Sequence, residues 1–154
     1  MYMKKMNKKG FTLVELLAVI VVLAVIMLLA VNAVIPQMTK ARKNAFVTEA
    51  ENVINSASTY YQSAILTGIP AGDTSTVTAT GGCIKVNELK GDYLEKDDDD
   101  FKGSVKIEIG ADNVAKYTVW LSNGEYLIEG KSGDEIKEAN VTSSTTAASE
   151  SCGS

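Results

Sequence analysis

The 154-residue sequence contains no histidine and only two cysteines, which lie far apart. General acid–base catalysis by imidazole is therefore excluded, and metal sites built from His or Cys ligands are unsupported. No nucleophile paired with a base and no glycine-rich phosphate-binding loop is apparent either. We expect that the chain is not an enzyme and that it uses no cofactor.

Basic residues are scarce beyond the first ten positions. The whole chain carries 15 Lys and Arg against 19 Asp and Glu, and four of the lysines fall within residues 1–10, where no acid occurs. Residues 11–154 thus hold 11 basic and 19 acidic side chains, a net charge of −8. This part has no basic stripe interleaved with aromatic residues, so nucleic acid is not an expected partner.

One long apolar run follows the basic start. Leu16–Val31 is drawn only from Ala, Val, Ile, Leu and Met, and after Asn32 the run continues to Ile35. About 20 residues are thus available to cross a bilayer as a helix, and the preceding lysines favour a cytoplasmic N-terminus. Glu15 is the lone carboxylate at the head of this run. Because an ionisable group is costly in lipid, we expect Glu15 to have a partner.

The junction between the lysines and the apolar run carries a family resemblance. The run Gly10-Phe11-Thr12-Leu13-Val14-Glu15 resembles the class III leader of type IV pilins and pseudopilins, of the kind found in Gram-positive bacteria. The resemblance covers residues 1–35. It implies that a prepilin peptidase cuts between Gly10 and Phe11 and methylates the new amine of Phe11. It also implies that the apolar helix is first a membrane anchor and later the core of a fibre.

The function implied by this resemblance is structural. Many copies would assemble as a helical homo-oligomer, an extracellular fibre for adhesion, surface motility or biofilm. The partners would be the prepilin peptidase, the inner pilus assembly machinery and membrane lipid before assembly. Once cleavage frees the amine of Phe11, this cation can pair with Glu15 of a neighbouring copy and set the axial stagger.

Other interpretations stay open. A pseudopilin of a competence (DNA uptake) or type II secretion system shares the leader, and a membrane-anchored extracellular binding module would use the helix only as a tether. The N-terminus also resembles a secretory signal peptide, with Val31-Asn32-Ala33 as a cleavage site, although the apolar run is longer than a typical signal core. An uncleaved signal anchor explains the length, but neither a signal peptide nor an anchor gives Glu15 a role.

The helical pattern continues beyond the membrane segment, with Pro36 as a possible bend. Apolar residues recur at alternating steps of four and three, which predicts an amphipathic helix to about residue 66. This stripe consists of Phe46, Ala50, Val53, Ala57, Tyr60 and Ala64. Gly68 followed by Pro70 is typical of a helix end. Lys40, Arg42 and Lys43 are expected either to form a solvated helix face or to meet lipid headgroups or acidic neighbours.

An antiparallel sheet is predicted over about residues 104–130. Alternating apolar residues indicate half-buried strands, and Asn123-Gly124 is typical of a two-residue hairpin turn. This turn would pair Leu121 with Tyr126 and place both against the long helix. Trp120 and Leu127 would lie on the opposite face, either as a subunit contact or covered by the loop and tail.

The remaining segments carry weaker patterns. Residues 67–82 are predicted to form a loop with room for a short strand. A short helix capped by Asn87 is predicted before Gly91. In the acidic run, Asp97 and Asp99 are a weak calcium candidate, because Phe101 and Lys102 occupy positions that an EF-hand loop gives to a ligand and to Gly. Residues 139–154 are too polar to order themselves.

The two cysteines fit one disulfide in an exported domain. C-terminal disulfides of pilins imply a bond between Cys83 and Cys152, with unpaired thiols or a bond between subunits as alternatives. The expected fold is α+β: a long N-terminal helix whose outer half packs on a small antiparallel sheet. It would comprise a cleaved leader (1–10), a membrane and fibre-core helix (11–35) and an extracellular domain (36–154).

Overall fold

The computed structural model describes residues 11–71, 73–95 and 99–153. Its first element is one helix of 55 residues, α1 (Leu13–Thr67), which continues through Pro36. The helix ends where Gly68 takes a φ of 90° and donates its N–H to the carbonyl of Ala64 at 2.9 Å. Glycine adopts this left-handed conformation without steric cost, so it stops the helix where the sequence predicts.

The rest of the chain forms a six-stranded sheet and one short helix. Every strand pairs antiparallel with its neighbour in the sequence, so the sheet order is β1-β2-β3-β4-β5-β6. The elements are β1 (Thr76–Thr78), β2 (Gly81–Lys85), α2 (Val86–Leu89), β3 (Lys102–Ile109), β4 (Ala115–Ser122), β5 (Tyr126–Ser132) and β6 (Thr142–Ser143). The predicted α+β class, a long helix packed on an antiparallel sheet, is confirmed.

The chain divides into two compact units between Thr39 and Lys40, and we call residues 40–154 the headgroup. Its core lies between the second part of α1 and one face of the sheet. The whole predicted helix stripe is buried: Phe46, Ala50, Val53, Ala57, Tyr60 and Ala64. Sheet residues such as Val105, Val119 and Leu121 are fully buried in the same cluster. The periodicity of four and three therefore identifies the contacting face of α1 correctly.

The hairpin between β4 and β5 differs from its predicted register. Leu121 pairs with Ile128, not with Tyr126, and the two central turn residues are Gly124, with a φ of 81°, and Glu125. Asn123 flanks the turn because its Oδ1 accepts the backbone N–H groups of Glu125 and Tyr126, at 3.1 and 2.8 Å. A shift of two residues keeps each side chain on its face, so Leu121, Tyr126 and Ile128 are buried as predicted.

The sheet extends well beyond the predicted residues 104–130. The segment 67–82, predicted as a loop with room for a short strand, contains β1 and the start of β2. Its glycines are required by the close approach of strands, since a Cβ on Gly81 would lie 2.1 Å from the carbonyl oxygen of Ile107. A strand built from Gly and Thr has no apolar alternation, so periodicity cannot reveal it.

The short helix α2 starts two residues earlier than predicted. Its N-cap is Lys85, which makes no side-chain capping hydrogen bond, so Asn87 is not the cap. Gly91 adopts a φ of 90° after the helix, as expected for a stop residue. Val86 and Leu89 are fully buried, which indicates that core packing, not a cap, sets the start of this helix.

The C-terminal tail is ordered, and the prediction that its polar composition leaves it loose is wrong. β6 extends the sheet, and Val141 and Ala148 are buried. Two fully buried serines hold the tail through backbone groups. Ser122 Oγ accepts the N–H of Ala148 at 3.0 Å, and Ser104 Oγ donates to the carbonyl of Ser149 at 2.7 Å. Hydrogen bonds to buried hydroxyls thus replace the apolar burial that the tail lacks.

A disulfide joins Cys83 of β2 to Cys152 in the tail, with a sequence separation of 69. Beside it the tail passes over Trp120, so closely that a Cβ on Gly153 would lie 2.7 Å from Trp120 Cζ2. Trp120 is half-buried, and Leu127 is buried although it lies outside the main core. Of the two predicted roles for Trp120, coverage by the tail is the one that this packing favours.

Candidate assembly site

The first turn of α1 is built around Thr12 and Glu15. Glu15 Oε2 accepts both the backbone N–H and the hydroxyl of Thr12, each at 3.1 Å. In return, Thr12 Oγ1 accepts the backbone N–H of Glu15 at 3.3 Å. This reciprocal arrangement is a capping box, which satisfies N–H groups that a helix start otherwise leaves unpaired.

Sequence reasoning missed the role of Thr12. The four residues Thr12-Leu13-Val14-Glu15 follow the capping-box pattern of Ser or Thr followed three positions later by Glu. The sequence predicts Glu15 only as a charge that needs a partner in another copy. The geometry gives the carboxylate a local function as well, and a negative group at a helix N-terminus is also favoured by the helix dipole.

From this turn to Ile35, the apolar surface of α1 is exposed on all sides. Leu13 is 82% exposed and Val25 is 53% exposed, and no residue of Phe11–Arg42 is buried or half-buried in the described chain. The one polar side chain within the run, Asn32, donates its amide to the carbonyl of Leu28 at 3.3 Å. By its length and composition, α1 could cross a membrane. It presents a large apolar surface that this chain alone does not cover.

Comparison with known proteins identifies the segment. Residues 5–31 match the model of the prokaryotic N-terminal methylation motif. This match supports a type IV pilin-like protein. No curated protein and no solved structure matches this pilin-like chain, so the leader and the first helix carry the assignment.

The motif implies a prepilin peptidase substrate and pilus-type assembly. Gly10, the residue before the predicted cleavage point, lies outside the described residues. Phe11, whose amine would be exposed by cleavage and methylated, is 85% exposed. The apolar helix and the leader together suit anchoring in a membrane before assembly.

The basic residues after the apolar run contact the headgroup itself. Arg42 forms an ion pair with Glu125 at 3.2 Å, and Lys40 lies 3.9 Å from Glu138. Lys43 donates its ammonium to the carbonyl of Val141 at 2.9 Å. Acidic neighbours of the same chain thus contact Lys40 and Arg42, both of which stay largely exposed, whereas Lys43 contacts a backbone carbonyl. Exposed pairs of this kind contribute roughly 0–1 kcal/mol each, so they orient the helix more than they stabilise it.

A polar network fixes the loop that follows α1. The carboxylate of Glu88 on α2 accepts hydrogen bonds from the backbone N–H groups and hydroxyls of Thr74 and Ser75. Burial raises the pKa of Glu88, but these hydrogen bonds to the ionised form outweigh it and leave the pKa below its usual value. Beside it, Tyr60 donates its hydroxyl to Asp73 at 2.7 Å. Burial and the Asp73 carboxylate raise the pKa of Tyr60.

The weak calcium candidate gains no support. Asp97 lies outside the described residues, and Asp99 is exposed. Phe101, which would occupy a ligand position of an EF-hand loop, is fully buried in the core, and Lys102 begins β3. Within the described ranges, no three acidic, His or Cys side chains are grouped so that they could hold a metal ion.

Proposed function

We propose that this pilin-like chain is the structural subunit of a type IV pilus, an extracellular fibre for adhesion, surface motility or biofilm. The observation that carries the proposal is the exposed apolar surface of α1 directly behind a methylation motif. Burial of apolar surface contributes roughly 25 cal/mol per Å². A helix exposed on all sides therefore strongly favours either lipid or the helices of other copies, and assembly exchanges the first environment for the second.

The charges at the N-terminus of the helix set the axial stagger between neighbouring subunits in the proposed fibre. After cleavage, the amine of Phe11 is a cation next to apolar surface, and the carboxylate of Glu15 lies one helical turn away. In the proposed fibre, the Phe11 amine of an incoming copy pairs with Glu15 of a copy already assembled. Because an unpaired charge in an apolar environment is costly, staggers that leave either group alone are disfavoured.

The proposal assigns no catalytic activity and no cofactor to the chain. The absence of histidine from the sequence supports this, and so does the use of both cysteines in one disulfide. A pseudopilin of a competence or secretion system would share every feature of the leader, and a tethered binding module would share the apolar helix. Both are distinguished from a pilus subunit by whether long surface fibres form.

Negative-stain microscopy of cells that express the full chain tests the proposal. Surface fibres that disappear when the coding region is deleted and return on complementation are the expected result. Fibres unaffected by the deletion, or cells without fibres although the processed protein is abundant, would contradict a role as a pilus subunit.

The leader is tested separately through Gly10. Gly10→Val should leave full-length precursor in the membrane, because the peptidase must seat an extended backbone where a β-branched side chain clashes. Gly10→Ala is the matched control, with a smaller side chain and partial processing. Mass spectrometry of the N-terminus reads the outcome, and efficient release of a chain starting at Phe11 from Gly10→Val would show that cleavage does not depend on this glycine.

A further inference from the structure

The tail beyond β6 crosses one face of the sheet, and we call residues 144–153 the strap. The hydroxyls of Ser122 in β4 and Ser104 in β3 form hydrogen bonds with backbone groups of the strap, at 3.0 and 2.7 Å. The strap then ends in the disulfide to Cys83 of β2. These three residues alternate along their strands with core residues, so they lie on the face turned away from α1. The strap therefore meets three neighbouring strands in turn, from β4 to β2.

The strap lies outside the main core of the headgroup. Ala148 is buried, yet among the described residues no part of the strap belongs to the core cluster between α1 and the sheet. Val141, which precedes β6, does belong to that cluster. Water can replace the hydrogen-bond partners of a detached strap, whereas keeping about ten residues ordered costs backbone entropy at each of them. We therefore expect the order of the strap to depend on the disulfide.

The disulfide borders an open cavity. Cys83 and Cys152 are both half-buried, and they line a cavity of about 330 Å³ together with Lys106 and threonines of β1. Lys106 lies directly opposite Cys83 in the pairing of β2 with β3. Glu108 lines the same cavity, and its carboxylate lies 3.0 Å from the Lys106 ammonium. A cation beside a cysteine favours the thiolate, which is the form that exchanges disulfides. A small molecule can therefore approach the bond in the folded chain.

The backbone of Cys152 favours opening of the bond. Its φ is 52°, a left-handed conformation that residues other than glycine rarely adopt because their Cβ crowds the backbone. The disulfide holds Cys152 there, together with its N–H, which donates to Ser104 Oγ at 3.0 Å. Breaking the bond removes one of these constraints, so the backbone can relax as the end of the strap leaves the sheet.

We propose that this disulfide is a thiol-exchange site, at which a small thiol opens the bond and releases the strap while the headgroup stays folded. The attacking thiolate forms a mixed disulfide with Sγ of Cys152, and Cys83 leaves as a thiolate beside Lys106. A second thiol group attacks the sulfur of the small molecule, which completes a new disulfide and frees Cys152. Two thiols are thus oxidised, the protein disulfide is reduced, and the two thiol protons end on the cysteines. Release uncovers Trp120, and none of these steps requires a fibre.

Dithiothreitol added to the detergent-solubilised full chain, without denaturant, tests the exchange site. The free thiols are then alkylated with iodoacetamide. Mass spectrometry should find both Cys83 and Cys152 alkylated. The emission of Trp120, the only tryptophan of the chain, should shift to the red. Hydrogen exchange should show the amides of Ala148 and Cys152 losing protection, while those of β3 and β4 stay as protected as in the untreated chain.

Cys152→Ser is the matched control. Its strap is released without a reductant, so its Trp120 emission should be shifted to the red from the start and should not respond to dithiothreitol. Three results would overturn the inference: alkylation that requires denaturant, reduction that leaves the Trp120 emission and the Ala148 amide unchanged, or loss of protection throughout β3 and β4. The first would show that the bond is closed to thiols. The second would show that the strap holds without it, and the third that the headgroup unfolds with it.

Discussion

The two parts of α1 use apolar residues for different purposes. Up to Ile35 the helix is apolar on all sides and exposed. From Phe46 to Ala64 only one stripe is apolar, and that stripe is buried against the sheet of the same chain. An apolar stripe one face wide identifies a partner within the fold, whereas an apolar surface around the whole circumference identifies partners outside it.

The contrast predicts that the two parts of α1 contribute to different processes, one to folding of the headgroup and the other to insertion and assembly. Substitutions in the stripe are expected to change the free energy of unfolding of the headgroup. Substitutions in the apolar part are expected to change insertion and assembly and to leave that free energy unaltered. Four measurements test this separation.

The largest effect is expected at Glu15. Glu15→Val removes the mate of the Phe11 amine, and losing one partner of a buried ion pair costs roughly 3–5 kcal/mol. We expect folded, membrane-retained protein and no fibres by negative-stain microscopy. Thr12→Val is the matched control, because it removes the side chain of the capping box but keeps the carboxylate. Fibres that persist in Glu15→Val would show that the carboxylate acts only as a cap.

The stripe is tested by Phe46→Ala against Leu23→Ala. Phe46 is 1% exposed, so its truncation should lower the free energy of unfolding by about 3–5 kcal/mol. Leu23 is 58% exposed, and its truncation should change that free energy by less than about 0.5 kcal/mol. Denaturant titration of the detergent-solubilised full chain, followed by Trp120 fluorescence, gives both values. Equal losses would mean that the two parts of α1 do not differ as proposed.

The disulfide between Cys83 and Cys152 is expected to stabilise the headgroup and to have no effect on membrane retention. On the chain-entropy model, closing a loop of this length stabilises by up to about 4 kcal/mol. Cys152→Ser should lower the free energy of unfolding by no more than this and shift the emission of Trp120 to the red as the tail leaves it. Membrane retention should be unchanged. Native protein whose two cysteines are both alkylated without prior reduction, instead of a mass two hydrogens lower, would contradict the bond.

The smallest effect is expected from Glu88. Its pKa lies below the usual value of 4.5 in the folded chain, so the ionised form stabilises the fold above the unfolded pKa. That stabilisation is lost as the pH falls through the folded pKa, below about 4.5. Denaturant titrations from pH 6 to pH 3 should show this decline in the native chain and a weaker one in Glu88→Gln. Identical slopes would exclude Glu88 as a source of the acid sensitivity.

The sequence predicted those parts of the molecule whose residues follow a period. The stripe of α1 and the inward face of β4 and β5 follow from the spacing of apolar residues, and the end of α1 follows from Gly68 before Pro70. The β4–β5 register was wrong because Asn123 uses its side chain as an acceptor beside the turn. A dipeptide pattern does not specify which of these two conformations Asn adopts.

The order of the tail could not be predicted for a different reason. The order of the tail depends on Ser104 and Ser122, which lie in strands far from it in the sequence and carry no signal of burial. The capping box at Thr12 and Glu15 was readable from the sequence but was overlooked, since the pattern coincides with the leader motif. Hydrogen bonds between distant residues are set by the completed fold, which local periodicity does not contain.

The sheet has very short edges, three residues at β1 and two at β6. An edge strand carries unpaired N–H and C=O groups that can recruit a strand from another molecule, and brevity limits how many such bonds form. Subunits stored side by side in a membrane, or crowded along a fibre, would meet one another constantly. In the proposed fibre, short edges would therefore keep close-packed headgroups from fusing into continuous sheets, so that neighbours could associate and separate without aggregating.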